Sequence, residues 1–233
     1  MVLDKCALGS YYHFVSERPF GQFDEELVSR FGMTQQETTQ RPMGRLERRK
    51  ARTRAAILQA AAQLFRERGF AKTSIVDIAD TADVGVGTLY GYFNSKYELL
   101  QEVLRQHALE ARERYRASVD ESTPAVERVV RTLEEVARYV RENRVLLASA
   151  FREEPGDRRP EYPAEWLFEA LGQEIKRGIE RGELHNVPID PTVKTLLTVY
   201  TAAMLGIGVW HGEDPDKALA ELNEMTRAFL AKR

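Results

Sequence analysis

The residues with the clearest chemical potential lie in the stretch TADVGVGTLYGYFNSK, residues 81–96, where Gly85, Gly87 and Gly91 alternate with Thr88, Tyr90 and Tyr92. Two chemistries suit such a run. Glycines let a backbone approach a phosphate closely, so the segment could cradle a nucleotide; that use requires a strand before the glycines and a helix after them. Alternatively, hydroxyls on a short helix, with the ammonium of Lys96 nearby, can grip the phosphates of a duplex. A second concentration of polar groups precedes it, in Arg45, Arg48, Arg49, Arg52 and Arg54. Residues 41–97 hold 11 basic and 5 acidic residues, whereas the whole chain of 233 residues has a formal net charge of −2. A basic block joined to an acidic remainder points to a polyanionic partner for that block alone, with a solvated charged face as the bland alternative.

Other chemistries find little support. His13, His107, His185 and His211 are scattered without metal-ligand spacing, so neither a metal nor a cofactor is expected. There is no Ser/His/Asp arrangement on a strained elbow, no Cys/His pair and no carboxylate pair on one helix face, so an enzyme is not expected. The single cysteine, Cys6, excludes an internal disulfide and fits a reducing compartment. No apolar run is read as approaching the roughly 18 residues of a membrane span. With no basic-then-apolar leader, the expected compartment is the cytoplasm and no membrane partner is expected.

The elements that must position these groups read as helices. Residues 1–44 form an extension without sustained periodicity, expected to be poorly ordered, with Met33 and Met43 as alternative starts. From Leu46 the apolar positions Ile57, Ala61, Leu64 and Phe65 make one stripe, stopped by Gly69. Ser74 and Asp77 have capping-box spacing ahead of Ile75, Ile78, Ala79 and Ala82. Ser95 and Glu98 repeat that signal before Leu100, Leu104, His107, Ala111 and Tyr115. One long amphipathic pattern follows over residues 125–151, then a proline-rich loop, then three more helical patterns, two of them opening Asp-Pro as N-cap and first helical residue. No βαβ alternation or hairpin is legible. The reading is all-α, with nine helices.

Without a strand the nucleotide cradle loses its support, and a helix-turn-helix fits better. Residues 74–82 supply the first helix and residues 82–85 the turn. Asp83 stands where positive φ is needed, which Asp tolerates better than most residues. Val84 plugs the space between the helices. Gly85 caps a second helix, VGTLYGYF, with Leu89 and Phe93 inward and Val86, Thr88, Tyr90 and Tyr92 outward.

Residues 53–100 resemble the DNA-binding domain of the TetR family of bacterial regulators (TetR/AcrR type), in an ordered series: a basic pre-helix, Ala-Ala…Leu-Phe, Gly-Phe, Thr-Ser, Asp-Ile-Ala, Gly-Thr-Leu-Tyr, Tyr-Phe and Ser-Lys. The resemblance implies a three-helix DNA-binding domain over residues 45–97 and a helical effector-binding and dimerisation domain over 98–233. It places Thr88, Tyr90, Tyr92 and Lys96 on DNA, mostly on phosphates, with Ser74 doing similar work. Val86 falls where bases are often read, and an aliphatic side chain there packs only on a thymine methyl or a sugar. Two departures stand out. Gly85 replaces a common Ser or Thr, and Asp83 a common glycine. With so few base-reading groups, the arm holding Arg48, Arg49, Arg52 and Arg54 is expected to supplement contacts by tracking phosphates or entering a minor groove.

A lone helix-turn-helix reads few bases, so a homodimer on palindromic double-stranded DNA is expected. The small residues Ala202, Ala203, Gly206 and Gly208 and the seam Leu219, Leu222, Met225 and Phe229 suit the pairing, and the resemblance implies the same two helices. It further implies a repressor released by a small-molecule effector, with the helix from Ser95 as connecting rod; constitutive or corepressor-dependent binding is the alternative. Candidate contacts for an apolar or aromatic effector are His107, Tyr139, Phe151, Trp166, Phe168 and Trp210, each of which is also an ordinary core candidate.

Overall fold

A computed structural model describes residues 44–120, 122–152 and 165–232. Among these, nine α-helices occur with one short 3-10 turn and no strand, only an isolated bridge between Leu184 and Ala231. The helices are α1 (Arg45–Arg68), α2 (Ile75–Thr81), α3 (Val86–Tyr90), α4 (Lys96–Ser118), α5 (Ala125–Glu142), α6 (Arg144–Arg152), α7 (Glu165–Glu180), α8 (Ile189–Leu205) and α9 (Pro215–Leu230). The all-α expectation holds. The extension expected over residues 1–44 lies outside the described residues apart from Gly44. The described residues divide into two compact units, through Val103 and from Leu104.

The first unit is built on the stripes legible in the sequence. Ile57, Ala61, Leu64 and Phe65 of α1 are at most 3% exposed, and Ile78, Ala79, Leu89 and Phe93 pack with them at 2% or less. Burial of these side chains, each worth roughly 1.5–3 kcal/mol for the larger apolar residues, holds a helix as short as α3 that would not form alone. The ends are capped as the sequence indicates. Gly69 takes φ +80° and returns its N–H to the Phe65 carbonyl at 3.0 Å. At α2 the Ser74 hydroxyl accepts from the Asp77 N–H at 3.1 Å, and the Asp77 carboxylate accepts from the Ser74 N–H at 2.9 Å. The Ser74 hydroxyl also donates to that carboxylate at 2.6 Å, and this bond, together with the one from the Ser74 N–H, holds the Asp77 carboxyl below its ordinary range. At α4 the box is modified: Ser95 accepts from the Glu98 N–H, but Glu98 reaches back to the Asn94 N–H, one residue earlier.

The second unit centres on α5, which packs against α7, α8 and α9 and leaves unburied one stripe, Glu127, Arg131, Glu134, Arg138 and Arg141. Polar side chains are buried with the apolar ones, Arg128, Thr132, Glu135 and Glu174 among them. Arg128, 6% exposed, donates through Nε to Glu174 of α7 at 2.7 Å and through a terminal nitrogen to the Thr123 carbonyl. Tyr115 of α4 donates to the other Glu174 oxygen at 3.1 Å, and burial pushes its phenol up to about 12, so it remains the donor. On α8 the phenol of Tyr200 is likewise pushed up to about 12 by burial and donates to Asn223 of α9 at 2.9 Å.

Four readings are corrected here. The single pattern over residues 125–151 is two helices, broken at Asn143, whose backbone leaves helical geometry (φ −107°, ψ 13°) while its amide side chain caps the Tyr139 carbonyl at 2.9 Å. Of the two Asp-Pro starts, Asp214 is an N-cap, but α8 begins two residues earlier than that reading, at Ile189, and Asp190 lies inside it, paired with Lys194 at 3.0 Å. The glycine-bounded helix is shorter than VGTLYGYF: α3 ends at Tyr90, and Tyr92 sits in the turn beyond it. Finally, the stretch Ile189–Trp210, 22 residues of mean hydropathy 1.4, does reach the length and apolarity of a membrane helix. Its apolar character serves a core: Val193, Leu197, Tyr200, Ala203 and Met204 are all at most 3% exposed.

Candidate nucleic-acid interface

The candidate interface belongs to the first unit. Helix α2 ends at Ala82, and the chain turns through Asp83, the one non-glycine described residue with positive φ (+53°). That turn is closed by N–H bonds from Asp83 to Asp80 and from Val84 to Ala79, at 3.2 and 3.0 Å. Val84 itself is only half-buried. Gly85 then caps α3 in extended geometry (φ −68°, ψ 146°) without a side-chain bond, as its lack of a hydroxyl requires. Leu89, fully buried, and Phe93, 2% exposed, turn the opposite side of α3 outward. Val86, Thr88 and Tyr90 are exposed there, Tyr92 is half-buried, and Ser74 is exposed but engaged in its capping box.

The expected cations separate into two groups. Arg45, Arg48, Arg49, Lys50 and Arg52 are exposed, on the first two turns of α1. The segment read as an arm is therefore helical from Arg45 onward. A minor groove admits an extended chain rather than a helix of roughly 10–12 Å diameter, which argues against the minor-groove reading for these residues. Arg54 and Lys96 differ. Arg54 pairs with Glu102 at 2.6 Å and lies 5.3 Å over the Phe93 ring. Lys96 donates to the carbonyls of Phe70 and Thr73, both at 2.9 Å, with its ammonium 4.3 Å from the Phe70 ring centre. Both cations tie the recognition segment to its neighbours, so their charge is partly committed inside the protein. Sequence spacing cannot show this, because the partners of Lys96 are backbone carbonyls 23 and 26 residues away.

A model of the family described as bacterial regulatory proteins, tetR family, matches residues 57–103, the span holding this helix-turn-helix. That span is a DNA-binding domain of the TetR family. The HTH-type transcriptional repressor KstR2 of Mycolicibacterium smegmatis is 38% identical over 79 residues, 34% of this chain. That alignment spans 38% of the length of KstR2, so the likeness to it is confined to one region. The HTH-type transcriptional regulator UidR of Escherichia coli is 28% identical over 163 residues, 67% of this chain and 79% of UidR. A transcriptional regulator of the TetR/AcrR family from Thermobifida fusca superposes with a TM-score of 0.60 at 25% identity, covering 76% of this chain and 96% of that one. The relatives matched are regulators rather than enzymes.

The remaining candidates lie in the second unit. His107, half-buried, shares a hydrogen bond with the Asn143 side chain at 2.5 Å. Tyr139 is 1% exposed and donates its phenol to the Leu104 carbonyl at 3.3 Å, which makes it core rather than a surface for ligand. Phe168 and Trp210 are half-buried, and the side chains of Phe151 and Trp166 lie outside the described residues. Among the pairing candidates, Ala203 and Leu222 are 3% exposed in their own chain and have no surface to offer a partner. Gly206 is the left-handed C-cap of α8 (φ +66°), so the backbone explains it, while Gly208 begins the 3-10 turn. Ala202 and Leu219 are half-buried. Met225 and Phe229 are each 53% exposed and, with Pro191, Thr192, Thr195, Leu196 and Thr226, line a recess of about 290 Å3 between α8 and α9.

Asp83 invites a direct test. A non-glycine residue at positive φ is strained by up to about 1–2 kcal/mol, less for Asp, and its carboxylate is repelled by any phosphate nearby. Asp83→Gly is expected to preserve or slightly raise the melting temperature while increasing DNA affinity. Asp83→Val, which cannot share the conformation cheaply, should lower the melting temperature by several degrees in a thermal melt.

Proposed function

We propose that this chain is a cytoplasmic transcriptional repressor of the TetR family that binds a palindromic operator as a homodimer and is released by a small apolar or aromatic effector. The observation that carries the DNA-binding part is the construction of α3. Its inward side is clamped by Leu89 and Phe93, and its outward side offers Val86, Thr88 and Tyr90 within a basic block. Thr88, Tyr90 and Tyr92 act on phosphates, Ser74 supports the first helix, and Arg48, Arg49 and Arg52 extend the electrostatic footprint along α1. Arg54 and Lys96 take part chiefly by holding the segment in place. Gly87 supports the same reading: a Cβ there would meet no protein atom within 4 Å, so internal packing does not require glycine, whereas close approach of a DNA backbone does. Specific shift of the chain's own upstream DNA in the presence of competitor would support the proposal; no specific binding there or at neighbouring promoters would sink it.

Pairing is proposed through α8 and α9, where Met225 and Phe229 present apolar surface beside the recess. An effector would be taken up within the second unit, with His107, Phe168 and Trp210 as its contacts. A ligand can release DNA only if it prefers one conformation of the dimer over the other. A thermal-shift screen that finds a stabilising compound without effect on DNA affinity would favour the constitutive alternative.

The basic helix gives a quantitative expectation. Each phosphate contact contributes about 0.9 to the slope of log affinity against log salt concentration. Neutralising Arg48, Arg49 and Arg52 to Gln is expected to lower that slope by up to about 2.7 for each protomer bound. An unchanged slope in salt titrations would show that these arginines are only a solvated face.

A further inference from the structure

The exposed surface of α3 is unusual in what it lacks. Residues 85–91 contain no Arg, Lys, Asn, Gln, Asp or Glu, the side chains that read guanine, adenine and cytosine edges through paired hydrogen bonds. The nearby cations do not fill the gap, since Arg54 is paired with Glu102 and Lys96 with the carbonyls of Phe70 and Thr73. At the first position of the helix stands Val86, 37% exposed. The helix does not depend on it for anchorage, because Leu89 and Phe93 supply that from the other side. Being β-branched, Val86 holds its two methyl groups in a narrow set of orientations, so it presents a preformed apolar tip. In a major groove the apolar group displayed by base pairs is the 5-methyl of thymine.

We propose that Val86 is a specificity-determining residue that packs on a thymine 5-methyl group in each half-site. Base discrimination at that position then rests on apolar contact rather than on hydrogen bonds. The inference depends on the DNA-binding function proposed above and adds the chemical identity of the base that is read. Its consequence is that the operator carries a T·A pair facing the start of α3, whose loss of a single methyl group weakens binding.

The test uses the full chain and a duplex recovered by selection from a random double-stranded library. Each thymine of one half-site is replaced in turn by deoxyuridine, which removes the methyl and leaves every hydrogen-bonding group in place. At one position affinity should fall about fourfold, the equivalent of about 0.8 kcal/mol for a buried methyl-sized group, and about sixteenfold when both half-sites are changed. In Val86→Ala, checked by circular dichroism to melt like the parent chain, the deoxyuridine penalty should vanish. If no deoxyuridine substitution weakens binding, the proposal is overturned. If the penalty persists undiminished in Val86→Ala, another side chain or the shape of the DNA reads the methyl, and the assignment to Val86 is overturned. Failure to select any specific duplex would instead overturn the DNA-binding function on which the inference rests.

Discussion

Replacing Glu174 by alanine is expected to lower the unfolding free energy by about 3–5 kcal/mol, the range found when one partner of a buried ion pair is removed. The side chains of Arg128 and Glu174 are only 7% and 10% exposed, and their 2.7 Å bond joins α5 to α7. Truncation leaves the guanidinium buried with the Thr123 carbonyl as its remaining hydrogen-bond acceptor, and it strands the Tyr115 phenol that donated to the same carboxylate. The cost is thus set by an orphaned charge rather than by the net value of the pair, because desolvation offsets much of the Coulomb attraction. A companion variant separates the two ideas. Arg128→Met combined with Glu174→Leu removes both charges while keeping apolar volume, and should recover most of the loss. Urea denaturation provides the measurement. A single-variant loss below about 1 kcal/mol would contradict the buried-charge account.

The second large effect is expected at Leu89. Leu89→Ala should cost about 2.7–5 kcal/mol, since a fully buried leucine is replaced by a cavity. Its functional consequence exceeds that of a core change elsewhere. Helix α3 has five residues and cannot persist without tertiary contacts, so losing its anchor leaves the DNA-facing side chains in place only part of the time. Apparent affinity is multiplied by the fraction of competent molecules, and a fall on the order of tenfold or more is expected. Fluorescence anisotropy with a labelled duplex, at a temperature where circular dichroism shows the variant folded, checks this. Val86→Ala is the contrast: it alters the exposed tip of the same helix and should leave the melting temperature nearly unchanged. Equal loss of stability in both variants would show that the division between anchor and reading face is wrong.

Local rules carried much of the first unit. The capping box of Ser74 and Asp77, the stop at Gly69, the positive φ of Asp83 and the inward placement of Leu89 and Phe93 each depend on residues a few positions apart. Short-range hydrogen bonding and helical periodicity are enough to decide such features. The same rules failed where neighbours in space are distant in the chain. Arg54 and Lys96 look like DNA-facing cations until Glu102, Phe93, Phe70 and Thr73 are seen around them. Tyr139 looks like a ligand-facing aromatic until its burial and its bond to Leu104 are known.

The sequence by itself determined the helical class, the helix-turn-helix, the family resemblance and the apolar start of α3, because each is written in residue type and short spacing. Only the tertiary structure decided which charges remain available outside and which are spent within. It turned the expected arm into two turns of helix, buried Ala203 and Leu222 while leaving Met225 and Phe229 of the same expected seam exposed, and revealed the buried Arg128–Glu174 pair. The physical reason is the same throughout. Burial and pairing are properties of groups brought together from far along the chain, and no local pattern records them.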